Sequence, residues 1–214
     1  MILEKLLTFI EDFVFTLSPT GLIFNQYRDN VEGIDLPDGN EIRRENLRRY
    51  IRHFVSKPTT LLLGEAAGWQ GCRFAGIPFT SEALLLLGIP IKGAPSSSQS
   101  APHEEPSAKL FWHNLRDCSQ NFFARNTLCF HPYREGNFLS NRTPTVREFA
   151  VHKDILVRLI EILEPERIGA IGKKAEATLA RIGDTAPVTY VRHPAYGGKS
   201  EFERAIRTMF GPTA

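Results

Sequence analysis

The stretch TLLLGEAAGWQGCRFAGIPFTSE, residues 60–82, opens with an apolar run over residues 60–63 and passes at once into a small-residue turn, GEAAG, residues 64–68. A short unbroken apolar run bounded by turn residues is the pattern of a strand buried on both faces. Three more such runs follow at wide spacing, at residues 127–130, 167–171 and 188–191. Helical periodicity fills the intervals at residues 82–87, 109–123, 145–163 and 173–182, with a last helix at 200–210. Strands alternating with helices make βα units and a mostly parallel sheet covered on both faces. The expected fold is α/β, a three-layer α/β/α arrangement around a central four-stranded sheet. The Pro/Ser-rich segment 92–108 reads as a surface loop or mobile lid, too short to divide domains.

Ahead of the first strand, residues 1–59 read as a helical extension packed on a single domain, 1–214. Leu3, Leu6, Leu7, Ile10, Phe13 and Val14 share one face of a helix that runs to about residue 17. A second helix at 41–55 turns Leu47, Ile51, Phe54 and Val55 inward and carries Arg43, Arg44, Arg48, Arg49 and Arg52 on its other faces. A solvated face with Glu41 and Glu45 as partners, and a phosphate-binding stripe, are written alike in sequence. Between the helices, Asn25, Tyr27 and Arg28 of GLIFNQYRD stand either beside a site or along a structural edge.

Twenty-six basic residues against 24 acidic leave a formal charge of +2, so any attraction for nucleic acid has to be local. Cys72, Cys118 and Cys129 have no CxxC spacing, and three thiols cannot complete a four-cysteine metal or iron–sulfur site. A reducing cytoplasm is the compartment expected for such thiols. The opening MILEKLLTFIEDF is broken by Glu4, Lys5, Glu11 and Asp12, which argues against a signal peptide or a membrane span.

Ligands of an open parallel sheet collect outside the carboxyl ends of its strands. The first strand exits into Gly64, Glu65, Ala66, Ala67 and Gly68; Asn126 and His131-Pro132 bracket the second. The third leads through Gly172 to Lys173 and Lys174, and the fourth into Arg192, His193, Pro194, Ala195, Tyr196, Gly197, Gly198 and Lys199. Each has a plain structural explanation. Gly64 and Gly68 suit a tight turn, Glu65 suits a helix start, His131 and His193 suit a core, Asn126 suits a strand edge, and Phe79 suits packing. Tyr196 between Ala and Gly is hard to bury and fits a wedge or stacking contact.

Taken in order, these segments resemble the uracil-DNA glycosylase superfamily. GEAAG (64–68) followed by GIPFT (76–80) is similar to the first motif of the thermophile-type branch, GEAPG and then G-x-PF; GIPF also resembles the G-V-P-F of the single-strand-selective branch. NTLCFHP (126–132) resembles the base-reading strand, and NRTPT (141–145) through Glu148 the start of the helix that follows. IGKKA (171–175) is similar to an LGK-x-A turn, and His193-Pro194 to the head of the DNA-inserting loop.

The resemblance implies a monofunctional hydrolase that releases uracil or a related deaminated base from DNA by base flipping, acting as a monomer in base excision repair. In that reading Gly64, Ala66 and Gly68 line the pocket, Phe79 stacks on the base and Asn126 reads its edge. His193 donates to the departing base anion, with Glu65 as the second catalytic group. Arg192, Pro194, Tyr196, Gly197 and Lys199 meet DNA. Two departures stand out. Ala66 occupies the position where better-known branches keep a water-positioning Asp or Asn, and the thermophile-type cluster lacks its cysteines, so no cofactor is expected. Ala66 keeps a second reading open, a non-catalytic binder of damaged or abasic DNA. His103 lies beside Glu104 and Glu105 rather than in a basic run, which argues against crosslinking to abasic sites. An unrelated nucleotide-binding domain is disfavoured by the lack of a P-loop or G-x-G-x-x-G turn.

Overall fold

A computed structural model of the protein describes residues 2–54, 58–118, 122–183 and 185–211. Six strands occur among them. β1 (Ile23–Phe24) and β4 (His131–Pro132) form a small antiparallel pair. β2 (Thr60–Ala66), β3 (Phe122–Leu128), β5 (Arg167–Ile171) and β6 (Val188–Val191) form a parallel sheet in the order β3-β2-β5-β6. Helices α1 (Ile2–Phe9), α2 (Gly39–Phe54), α3 (Cys72–Ala75), α4 (Glu82–Leu86), α5 (Pro106–Leu115), α6 (Val146–Leu163), α7 (Lys173–Ile182) and α8 (Lys199–Phe210) complete the three-layer α/β/α architecture. Leu61, Leu62 and Leu63 are fully buried, as strands covered on both faces require.

β5, β6 and α7 fall where the sequence pattern puts them, but two strand ends move. β2 runs on through Gly64, Glu65 and Ala66, because its pairing with β3 continues at Gly64↔Asn126 and Ala66↔Leu128. GEA is therefore strand, and the turn starts at Ala67. β3 begins at Phe122, where pairing with Thr60 overrides the helical pattern of 109–123, and it holds Asn126 within the strand rather than at its edge. α5 ends earlier, at Leu115.

The N-terminal helices share the core with the sheet: Leu6, Phe9, Leu47, Ile51 and Phe54 belong to the same apolar cluster as Leu62 and Phe123. The Tyr50 hydroxyl accepts from the Ala124 N–H at 3.0 Å, which ties α2 to β3. A π-helical turn at Ile10–Val14 continues α1 and inserts a residue into its repeat. As a result Phe13 is 59% exposed, contrary to its expected place on the buried face, while Val14 and Phe15 pack inside. Val55, expected to face inward, lies outside the described residues.

One further expectation fails, and another is narrowed, for electrostatic reasons. Arg43 is fully buried, not solvated: its guanidinium bonds the Asp35 carboxylate at 2.8 Å, the Ser96 hydroxyl at 3.0 Å and the Asp29 carbonyl at 2.8 Å. Arg73 from α3 closes on the same carboxylate, at 2.8 Å to Asp35 Oδ2. The rest of the arginine stripe is the solvated, paired face: Arg48 meets Glu11 at 3.1 Å and Arg49 meets Glu45 at 2.9 Å. Segment 92–108 runs over the surface as expected until α5, but it is tethered rather than mobile. The buried Glu82 carboxylate accepts the backbone N–H groups of Ser96 (2.7 Å), Ser97 (2.8 Å) and His103 (3.0 Å), and α5 begins at Pro106.

Farther along, Thr145 and Glu148 form a reciprocal capping box at the start of α6. The Glu148 carboxylate also takes both guanidinium nitrogens of Arg142, at 2.7 and 2.8 Å, and this pairing holds its pKa down at about 2.

Removing one member of a buried ionic cluster strands the charges that remain. Asp35→Ala leaves Arg43 and Arg73 facing each other without an anion. The expected loss is about 3–5 kcal/mol of unfolding free energy, read from urea denaturation midpoints.

Candidate active site

A cleft of about 740 Å³ opens at the carboxyl ends of the parallel strands. Its wall starts on β2, where Gly64 permits a close approach that no other residue would allow. A β-carbon there would stand 2.6 Å from Asn126 Oδ1 and 2.6 Å from Phe79 Cζ. Strand pairing sets Asn126 beside Gly64, so the amide and the ring converge over bare backbone.

Phe79 is fixed from behind. Its ring stacks on Phe111 of α5 with centroids 4.4 Å apart and planes 4° from parallel. Next to it, the Thr80 hydroxyl accepts from the Trp112 indole N–H at 3.1 Å. Phe79 also sits at φ 53°, a left-handed conformation that is strained for a bulky residue and that the surrounding packing maintains. Phe79 is also one of the residues that line the cleft.

Glu65, Ala66 and Gly68 line the cleft beside this pair. One Glu65 carboxylate oxygen, Oε1, is buried with no hydrogen-bond partner. Burial raises the Glu65 pKa above the usual carboxylate value, although Thr143 and Lys174 pull the other way. Ala66 contributes only a methyl group.

His193 and Arg192 enter from the loop after β6. His193 Nδ1 accepts the Ala195 N–H at 3.2 Å, so the neutral ring carries its proton on Nε2. Burial, and then the neighbouring Arg192 charge, lower its pKa and keep the ring neutral at pH 7. Tyr196 lies at the tip of this loop, 98% exposed, with φ 52°. Gly198 closes the loop tightly; a β-carbon there would be 2.1 Å from the His193 carbonyl.

Not every expected residue reaches the cleft. Pro194 is buried under the loop, and Gly197 and Lys199 lie outside the lining, Lys199 within 3.9 Å of Glu203 at the start of α8. His131 is a structural histidine: its ring nitrogens lie 2.8 Å from the Ala67 carbonyl and 3.0 Å from the Phe138 carbonyl, the neutral ring donating to one of them, and burial lowers its pKa to about 4. Arg134 and Glu105 line the cleft, and no motif marked either one. The only local signal for Glu105 is its position just before the helix-starting Pro106.

No protein-family model matches the sequence, and no curated protein matches it. Among solved structures, the crystal structure of wild-type SMUG2 from Pedobacter heparinus is similar, with a TM-score of 0.72 at 16% identity over 97% of this chain and 96% of that one. At that identity the likeness is one of fold. It supports the three-layer α/β/α fold.

Any side chain at residue 64 has to force Phe79 and Asn126 apart. Gly64→Ala is expected to cost about 1–3 kcal/mol in chemical denaturation, the range for an overpacked interior. A neutral result would mean that the two side chains are free to move aside.

Proposed function

We propose that the protein is a monofunctional DNA glycosylase that hydrolyses the N-glycosidic bond of uracil or a related deaminated base. The convergence of the Phe79 ring and the Asn126 amide at Gly64 carries this reading: it makes a slot with an aromatic wall and one amide able both to donate and to accept. Such a slot suits a single planar base, and a base within DNA reaches it only when extruded from the stack.

The chemistry follows from the charges that develop as the bond breaks. The sugar becomes cationic and the base leaves as an anion, and groups that stabilise charge appearing only in the transition state accelerate the step. Neutral His193, with its proton on Nε2, donates to the anionic base. The Glu65 carboxylate faces the cationic sugar or orients the attacking water, a task Ala66 cannot perform. Tyr196 fills the gap left by the extruded nucleotide, while Arg192, Lys199 and the Gly197 amide hold phosphates, with Pro194 stiffening the loop. The cleft's basic lining, Arg134, Lys173, Lys174 and Arg192, supplies locally the attraction for DNA that a +2 chain lacks overall. No helix among the described residues is long and apolar enough to cross a membrane, and the three free cysteines are buried. The proposed setting is a reducing cytoplasm, with the protein acting as a monomer on DNA in base excision repair.

The second reading, a non-catalytic binder of damaged or abasic DNA, draws on Ala66 alone. Both are tested with oligonucleotides bearing one uracil, hypoxanthine or xanthine, single- and double-stranded, incubated with protein and then cleaved by alkali. Product is expected, with Asn126→Ala and His193→Ala each slower by about 10²–10³-fold. The rate should fall as pH drops through the raised Glu65 pKa, since protonation removes the charge the sugar needs, and Glu65→Gln should lose this acid limb. Binding without product from any substrate at high protein concentration would leave only the second reading.

A further inference from the structure

Three arginines among the described residues line the cleft, and they differ in what holds them. Arg142 is fully occupied: it donates to the Glu148 carboxylate at 2.7 and 2.8 Å and to the Tyr133 and Leu22 carbonyls, each at 2.7 Å. Arg192 is partly engaged, 3.4 Å from the Tyr196 carbonyl oxygen and 3.6 Å from the Glu201 carboxylate. Arg134 is exposed and bonded through its backbone: its N–H donates to Ser140 Oγ at 2.9 Å, and its carbonyl accepts from the Asn137 N–H at 2.9 Å. Among the described residues its guanidinium has no hydrogen-bond or ion-pair partner. Glu135 beside it is exposed too but stays out of the cleft lining.

The hairpin that carries Arg134, residues 133–138, is braced. The Tyr133 ring stacks on Phe138 with centroids 4.5 Å apart, and the Tyr133 N–H donates to the Leu22 carbonyl at 3.1 Å. His131 lies against the Ala67 and Phe138 carbonyls, and the Ala67 N–H donates to the Phe130 carbonyl at 3.3 Å. The base of the hairpin is thereby fixed at the end of β2, on its β3 side. At the end of β5, the Gly172 N–H donates to the Val191 carbonyl at 2.8 Å, and a β-carbon on Gly172 would stand 3.5 Å from that of His193. Because the sheet order is β3-β2-β5-β6, Arg134 and the 192–198 loop rise at opposite edges of the cleft. Three inter-strand spacings of about 4.8 Å separate those edges by about 14 Å. Neighbouring phosphates of one strand are only about 3.4 Å apart along a helix axis, so the two edges meet different phosphates.

Building on the glycosylase reading, we propose that Arg134 is a DNA-positioning residue that grips a backbone phosphate on the side of the extruded nucleotide remote from the 192–198 loop. The strand then crosses the cleft from one sheet edge to the other, anchored on both flanks of the nucleotide that enters the slot. A guanidinium suits the task, since its planar fork matches two phosphate oxygens at once. Arg134 gives up no internal partner to bind, and a braced hairpin loses little freedom on doing so. Two anchors hold the sugar between them in register with Glu65 and His193, which one anchor alone would leave free to swing.

The test is equilibrium binding to a single-stranded oligonucleotide with one 2′-fluoro-2′-deoxyuridine, which is not readily cleaved, and to a series in which one phosphate at a time is a neutral methylphosphonate. On the unmodified strand Arg134→Ala should weaken binding about ten-fold, the worth of one charge-assisted contact. It should also lower the slope of log affinity against log salt by about 0.7, the value for one phosphate of a single strand. Arg134→Lys should keep that slope. Neutralising one particular phosphate should make wild-type and Arg134→Ala proteins bind alike. The phosphate that does the same for Arg192→Ala should lie on the other side of the fluorouridine. Unchanged affinity in Arg134→Ala, a loss that no single methylphosphonate cancels, or cancellation of both variants on the same side overturns the proposal. Base release from an ordinary uracil strand is measured in parallel. The two-sided pattern without release would defeat the hydrolase reading and leave the Arg134 anchor standing.

Discussion

The missing side chain at Gly64 is the constraint on which the site depends. Because residue 64 adds nothing above the sheet, Phe79 and Asn126 meet over its backbone. Everything nearby holds that meeting in place. The β2–β3 register puts Asn126 opposite Gly64, and buried leucines fix β2 in the sheet. The parallel stack on Phe111 holds Phe79 in a backbone conformation that an isolated phenylalanine would leave.

Two buried carboxylates organise the segments around this centre. Asp35 gathers Arg43 and Arg73, binding α2, α3 and the 29–35 loop into one cluster, while Glu82 collects backbone donors from 96, 97 and 103. Such clusters add little net stability compared with an apolar core, but they are costly to break and they specify geometry. Here they fix the path of a Pro/Ser-rich segment that lacks apolar content to pack by itself. That segment leads into α5, which brings both Phe111 and Glu105 to the cleft.

Much of this was legible in sequence, and the failures have physical causes. The order of βα units and the limits of β5, β6 and α7 follow from periodicity. The end of β2 did not, because small residues that look like a turn continue as strand when a parallel neighbour pairs with them. Phe122 and Phe123 suit a helix or a strand equally, and pairing with β2 decides between them. Arg43 looked solvated because its anion, Asp35, sits in a loop whose return toward α2 no periodicity reports. Of the site, the motifs pointed to Gly64, Glu65, Phe79, Asn126 and His193, which the structure brings to one cleft. Glu105 was illegible, since its room is made by Gly68 and Gly71 in a distant turn.

The central claim is that one extruded base occupies the slot between Phe79 and Asn126. Its most direct test is a crystal structure of the protein with an oligonucleotide carrying a 2′-fluoro-2′-deoxyuridine. The account predicts the uracil ring stacked on the cleft side of Phe79, its edge within hydrogen-bonding distance of the Asn126 amide, and His193 Nε2 facing a base oxygen. A uracil bound elsewhere, or one left on the strand with the slot empty, would contradict it.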